Sequence, residues 1–455
     1  MHERNTGNSA PVTDWQAFRA ISPDIQFIDA FVIDINGNTA GKRLPAADGD
    51  KLYTDGVMFS ACAPVADCRG WGHNAGGLGR DDGDPDGIAR PIKGCLQRVP
   101  WTTAPTAQVL CHMVTMAEAA DLWFDPRMIL ADVIARCRAA GLHPVVACEL
   151  EFYLIDPRRT ADGRISAGAM PGRTAPRRAG NLSLDAVEDM GEFLNRVDAA
   201  ASAQQLPVCG AVAEYGINQF EVNLRHVADP LLAADQAVLL KRLVKGVARS
   251  LGMDATFMAK PFAAQAGSGL HVHVSIVDER GHNRFGAAGG EALLRNGVAG
   301  MQALMYDSMA LYAPNFNAQR RYLGKFVPTS RDWGRNNRSV AFRIPPGDGE
   351  ARRIEHRVAG ADASPHLTMA AILSALLHGI GQGLEPGAAV EGRAADQGDA
   401  DFPGDLMVAL NRLEKSELLA KYLPARFLSL YAEVKRGEYG DLIDEVFSRE
   451  YDFYA

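Results

Sequence analysis

Five glutamates and two histidines sit in stretches whose alternation would bring them together on a sheet. After Gly267, Ser268 and Gly269, polar and apolar residues alternate strictly. As a strand this segment puts His271, His273 and Ser275 on one face and Leu270, Val272 and Val274 on the other. Glu149 and Glu151 share a face between residues 144 and 156, as do Arg353, Glu355 and Arg357 further on. Glu214 precedes a glycine turn, and Glu221 lies in the strand that follows. Any one of these could be an antiparallel strand with a solvated face. Desolvating an isolated carboxylate is costly, however, so the set together points to one polar site. Glutamates with a histidine, shared among several strands, suit two hard divalent cations such as Mg²⁺ or Mn²⁺ rather than zinc or copper. Arg338 and Arg343 are either exposed arginines on an edge strand or groups placed to hold phosphate bidentately. Two metals with arginines describe phosphoryl transfer, in which catalysis is mainly positioning and charge neutralisation.

The elements that must carry these residues predict an α+β chain with a mostly antiparallel curved sheet flanked by helices. At 455 residues, two domains are expected. Residues 1–14 form a polar, disordered tail, 15–107 a small β-rich domain and 108–455 a large one. The small domain opens with a hairpin whose turn is Asn36-Gly37, and residues 65–94 read as a long Gly/Asp-rich loop. Its aspartates lack the spacing and closing glutamate of an EF-hand. Helices are predicted from Pro126 to Ala140, Ser183 to Gln205, Pro230 to Leu251, Glu291 to Tyr312 and Pro365 to Gly379. Between the first two, the basic insert from Arg158 to Arg178 reads as a mobile loop, and the last fifty residues as amphipathic helices.

Composition excludes several classes. A net charge of −8 gives no reason to expect nucleic acid or an anionic membrane as partner. No apolar run is long enough to span a bilayer, and the first residues are not those of a signal peptide, so a cytoplasmic protein is expected. The 7 cysteines are odd in number and scattered, which indicates neither a disulfide framework nor a zinc ribbon. Neither a phosphate-binding Gly-x-x-x-x-Gly-Lys loop nor a dinucleotide fingerprint is present.

The motifs resemble, in order and type, those of glutamine synthetases. They are the Glu149/Glu151 strand, the Glu214 to Glu221 block, Gly-Ser-Gly-Leu-His271-Val-His273, Asn337-Arg338-Ser339 and Arg352-Arg-Ile-Glu-His-Arg357. The Asp34 hairpin is similar to that family's amino-terminal β-grasp domain. The resemblance implies that Glu151, Glu214 and Glu221 hold a first metal, and Glu149, His271 and Glu355 a second beside the phosphates of ATP. It makes His273, Ser275 and Arg353 nucleotide contacts, and Arg338 and Arg343 phosphate clamps. Arg321, Arg357 and the backbone at Gly267 would grip glutamate. Ligation through γ-glutamyl phosphate, in a double-ring homo-dodecamer whose amino-terminal domain completes the neighbouring site, is what such a family member does.

Where ammonia-using members carry a site-closing glutamate, this chain has Val327; aligned from Pro328 instead, the position is Phe326. Asp67 is the nearest counterpart of their ammonium-binding aspartate, and Ala266 replaces an asparagine. The segment 394–403 lacks the tyrosine that some bacterial members adenylylate. Losing a carboxylate weakens the hold on ammonium. The chain therefore resembles the branch that ligates glutamate to polyamines or monoamines, and the apolar Val327 favours a monoamine. The alternatives are ordinary glutamine synthesis and a catalytically silent structural member of the fold.

Overall fold

A computed structural model describes residues 13–168, 180–324, 327–394 and 399–455. The expected tail thus lies outside the described residues up to residue 12, as do 169–179 of the basic insert and Phe326. Thr13 caps a helix, α1 (Asp14–Ile21), in a capping box with Gln16. The predicted hairpin follows as β1 (Phe27–Ile33) and β2 (Thr39–Pro45), joined through Gly37 at φ 72°. Next come α2 (Gly49–Asp55), β3 (Val57–Ser60), β4 (Asp86–Val99) and β5 (Thr106–Thr115). These strands form a sheet in the order β2-β1-β5-β4-β3, with β1 and β5 parallel.

Two expectations change here. Residues 86–94 are not loop but the first part of β4, which pairs with β3 and β5. The boundary expected after residue 107 falls inside β5, whose residues 106–110 pair with β1. In both cases pairing with partner strands decides: over 86–94 it outweighs the local turn chemistry of Gly and Asp, and past 107 it continues β5 along β1 and β4.

The large sheet is built from β6 (His143–Ile155), β7 (Val208–Ala213), β8 (Gln219–Leu224), β9 (Asp254–Thr256), β10 (Leu270–Val277), β11 (Trp333–Arg335), β12 (Phe342–Ile344) and β13 (Ile354–His356). Its order is β11-β12-β13-β10-β6-β8-β7, with β9 paired to one end of β6. All pairs but β11–β12 are antiparallel.

Helices cover the sheet. α3 (Pro126–Ala139) and α6 (Pro230–Ser250) each start on an Asp-Pro pair, and the carboxylates of Asp125 and Asp229 accept hydrogen bonds from the first-turn amides. The helix predicted over 183–205 is two, α4 (Leu184–Asp189) and α5 (Gly191–Ala203). Met190 leaves helical geometry at φ −105°, ψ 17° and buries its side chain, and Gly191 has little propensity to carry the helix across. The 291–312 helix is likewise divided into α7 (Gly290–Leu304) and α8 (Met309–Tyr312), with α9 (Phe316–Gln319) after it. α10 (Pro365–Gln382) crosses α7 at Gly300 and Gly379; a Cβ on Gly300 would stand 2.0 Å from the carbonyl of Ala375. α11 (Leu406–Lys415), α12 (Ala425–Ile443) and α13 (Ser448–Tyr454) complete the chain.

The two sheets are tied by Arg242 of α6, which donates to Asp29 of β1 at 2.7 Å and to Gln108 of β5 at 2.9 Å. Among the described residues no helix is long and apolar enough to cross a membrane.

Candidate functional site

Strand register explains why the polar residues meet. β10 pairs with β6 so that His271 lies opposite Glu149, and with β13 so that His273 lies opposite Glu355. β6 sets Glu151 opposite Glu221 on β8, and β13 sets Glu355 opposite Arg343 on β12. Directly opposed residues share a face. Five adjacent strands thus present one polar row, and it is not a solvated face: His271, His273 and Ser275 are 6%, 4% and 7% exposed.

Within the row, Glu149 lies 3.3 Å from Nδ1 of His271 and 2.9 Å from Nε2 of His273. Arg353 donates to Nδ1 of His273 at 3.0 Å, which leaves the Nε2 hydrogen to face Glu149. Glu355, 1% exposed, accepts from Arg343 at 2.7 Å and also from Arg357. Glu151 accepts from the amide of Gly269 at 2.7 Å. Gly269 is required there, because a Cβ would come within 2.8 Å of an Arg321 terminal nitrogen and 2.9 Å of His271 Nε2.

The carboxylates divide into two electrostatic classes. Burial raises the pKa of Glu149, but hydrogen bonds from His271 and His273 outweigh it and hold the carboxyl below its usual range. Glu355 is likewise raised by burial, yet Arg357 and the two histidines bring it down to about 2. Glu221 is pushed up to about 9 by burial and by Glu149, Glu151 and Glu214, and Glu214 up to about 7 by burial and Glu151. Carboxylates crowded this closely raise one another's pKa, and a divalent cation bound between them would offset that repulsion.

Ligand atoms of Glu149, His271 and Glu355 lie within 4.8 Å of one another, as do those of Glu151, Glu221 and His271. Oxygen donors with one imidazole fit hard divalent cations. Glu214 stands outside both groups. It sits in the turn between β7 and β8, its amide bonded to the carbonyl of Gln219, and strand register does not fix its side chain. Among the described residues Nε of Arg321, Arg343 and Arg357 is buried without a hydrogen-bond partner, the state expected of donors arranged for an anion. Arg321 is 4% exposed and donates to the carbonyls of Val358 and Arg357. Arg338 is exposed on the loop before β12.

Asp67 is not part of this cluster. It is fully buried; one oxygen accepts from the amides of Arg69 and Trp71, and the other meets the side chains of Arg69 and His73. Asp67, His73 and Asp441 of α12 also form a close group, but the Arg69 guanidinium lies across both carboxylates and supplies the positive charge. Cys148 is a core thiol, pushed up to about 12 by burial, and all 7 cysteines are free.

Three residues near the site give weak signals in the sequence. His226, just past β8, sets its ring 6.0 Å from that of His273, and burial with His273 brings its pKa down to about 4. His356 buries both ring nitrogens without partners between Tyr312 and Phe342. Lys260 lies beside the Gly-Ser-Gly segment and donates to the carbonyl of Gln265. His226 follows a recognisable strand and His356 lies in one; Lys260 has only a following proline to mark it.

Comparison with known proteins adds four findings. Residues 124–454 match the model of the glutamine synthetase catalytic domain. Gamma-glutamylputrescine synthetase PuuA of Escherichia coli K12 is 41% identical over 420 residues, covering 91% of this chain and 89% of that protein. A glutamate–isopropylamine ligase of a Pseudomonas species is 31% identical over 439 residues, covering 90% and 91%. The solved structure of a GmaS/ADP complex superposes with a TM-score of 0.83 at 26% identity, over 97% of this chain and 99% of that one.

Proposed function

The chain belongs to the glutamine synthetase family, and from that premise we propose that it joins the γ-carboxylate of glutamate to an organic amine using ATP. One observation carries the choice of acceptor: five of the six expected ligands gather in two groups, while the position where ammonia-using members carry a proton-accepting glutamate is Val327, or Phe326 by the other alignment, neither of them charged. The most similar of the relatives above act, by their names, on putrescine and isopropylamine. The higher identity to the former favours a diamine over the monoamine expected from Val327 alone.

The residues divide the work as follows. Glu149, Glu151, Glu214, Glu221, His271 and Glu355 would hold divalent cations, Mg²⁺ or Mn²⁺, which neutralise the ATP phosphates when bound. His273, Ser275 and Arg353 contact the nucleotide, Arg338 and Arg343 steady the phosphoryl group, and Arg321, Arg357 and the Gly267 backbone hold glutamate. A γ-carboxylate oxygen attacks the terminal phosphorus and ADP leaves. The neutral amine then attacks the acyl carbon, the C–N bond forms and the acyl–oxygen bond breaks. One proton passes from nitrogen to the departing phosphate, which leaves as HPO₄²⁻. The buried row keeps water from competing for the acyl phosphate.

Glu355 joins two buried arginines, so its removal leaves both unpaired. Its loss therefore touches stability as well as chemistry. We take the two sheets as the working domains, with the expected boundary after residue 107 moved past the end of β5 at Thr115, and a homo-oligomer as the assembly; Asp67, fully buried in its own chain, is not the group that it offers to a neighbouring copy. A phosphate-release assay with glutamate, Mg²⁺ and a panel of amines tests the reading. Turnover should be greatest with putrescine or a short alkylamine; ammonia outcompeting every amine would establish ordinary glutamine synthesis instead.

A further inference from the structure

The amine must reach an acyl carbon held beside Arg321 and Gly267, past Val327. Lys260 stands in that corner. Its backbone is fixed on both sides by Asn317, whose Oδ1 accepts from the Lys260 amide at 2.9 Å and whose Nδ2 donates to the Lys260 carbonyl at 2.9 Å. Its ammonium donates to the carbonyl of Gln265, next to Ala266 and the Gly-Ser-Gly segment. A Cβ built on Gly324 would lie 3.8 Å from Lys260 Nζ and 3.9 Å from a Val327 methyl, so that one point lies in contact range of both. A Cβ on Gly267 would lie 2.8 Å from the Arg321 side chain, so the second cation is in the same corner.

Charge is lopsided here. Among the described residues no ion pair joins Lys260 to a carboxylate, and the groups around it from the neighbouring segments are the neutral Asn317, Gln265 and Val327 and the cationic Arg321. Most acids of the site lie along the sheet; Glu214 lies in the turn whose Ile217 amide bonds Gln265, and Asp362 accepts from the Ala259 amide and from Asn315, so neither is paired with the Lys260 ammonium. Burial and the charge of Arg321 both lower the pKa of the Lys260 ammonium. An incoming alkylammonium would meet the same two penalties.

We propose that Lys260 makes the acceptor corner select the uncharged free base of the amine, so that the reacting nitrogen sheds its first proton to water before it enters. This rests on the amine-ligase reading and names a specificity-determining residue within it. The excess proton of R–NH₃⁺ goes to solvent, R–NH₂ attacks, and the second proton leaves with phosphate as above. A diamine keeps its distal ammonium outside the corner.

The test compares two acceptors at about pH 7.5: an alkylamine, almost wholly cationic there, and hydroxylamine, almost wholly neutral. Lys260→Met should lower KM for the alkylamine about tenfold or more, the scale of one unit charge removed within several ångströms of another. It should leave KM for hydroxylamine and for glutamate unchanged, and Lys260→Arg should behave as wild type. Should Lys260→Met fold poorly, Lys260→Gln, which keeps a donor, carries the same comparison. Equal changes for both acceptors, or none, would overturn the proposal. Wild-type protein releasing no phosphate with any amine would instead overturn the amine-ligase reading beneath it.

Discussion

Cation binding should be coupled to proton release, and most of the coupling should be lost in Glu221→Gln. Glu221 is pushed up to about 9 and Glu214 to about 7 because both are buried among other carboxylates. Near pH 7.5 those values leave Glu221 almost fully protonated and Glu214 protonated in roughly a quarter of molecules. A divalent cation takes the ionised carboxylate, so binding should expel about one proton, and apparent affinity should rise about tenfold per pH unit up to about pH 9. The sign follows from the free protein holding the proton that the bound form lacks. Calorimetric Mn²⁺ titration in two buffers of different ionisation enthalpy counts the proton directly. Glu221→Gln should bind more weakly and release only the fraction of a proton held by Glu214, so that its pH dependence is flat above about pH 7. Heats independent of buffer in the wild type would refute the reasoning, because they would mean that the acids are already ionised.

Further outcomes follow from the same row. His271→Ala, which empties a position common to both ligand groups, should lower phosphate release about a hundredfold or more with little change in the far-UV circular dichroism spectrum. Glu355→Gln should lose activity similarly, and its urea midpoint should fall further than that of His271→Ala because two buried arginines lose a charged partner. Val327→Glu, placing a carboxylate within reach of Lys260, should raise use of ammonia relative to amine about tenfold in the phosphate-release assay. Asp34, buried in the first hairpin, is pushed up to about 7 by burial. Its folded form holds a proton that the unfolded chain sheds near pH 4, so native stability should fall as pH rises from about 4 to about 7. Asp34→Asn should flatten that fall in thermal melts, and an unchanged slope would contradict it.

What the sequence could and could not reveal follows one physical division. Strand register has a period of two, so alternation alone puts Glu149 and Glu151 on the face where the structure has them, opposite His271 and Glu221; Arg353 and Arg357 flank β13 and reach His273 and Glu355 through their side chains. Asp-Pro pairs marked the starts of α3 and α6 because a cap is a local bond. Contacts between distant segments left no such periodic trace. Asp67 is fixed by a group that includes Asp441, and Lys260 takes its meaning from Gly324 and Val327 on a different loop. The break at Met190 depends on a side chain finding the core, which helical spacing does not encode.

The same division explains why the chemistry was easier to read than the acceptor. Phosphoryl transfer needs several charges held rigidly, and rigidity comes from strands whose alternation is visible in the sequence. Choosing an amine turns on a few groups in the loops around residues 260 and 321–327, where no period constrains the residues and a missing charge counts as much as a present one. Acceptor preference can therefore change by substitution at Lys260 or Val327 while the row from Arg343 to Glu221 stays as it is, because strand register sets the row, whereas these two residues sit on loops joined to it by side-chain bonds such as Tyr153 to the Ala266 carbonyl and Gln219 to the Gly267 carbonyl.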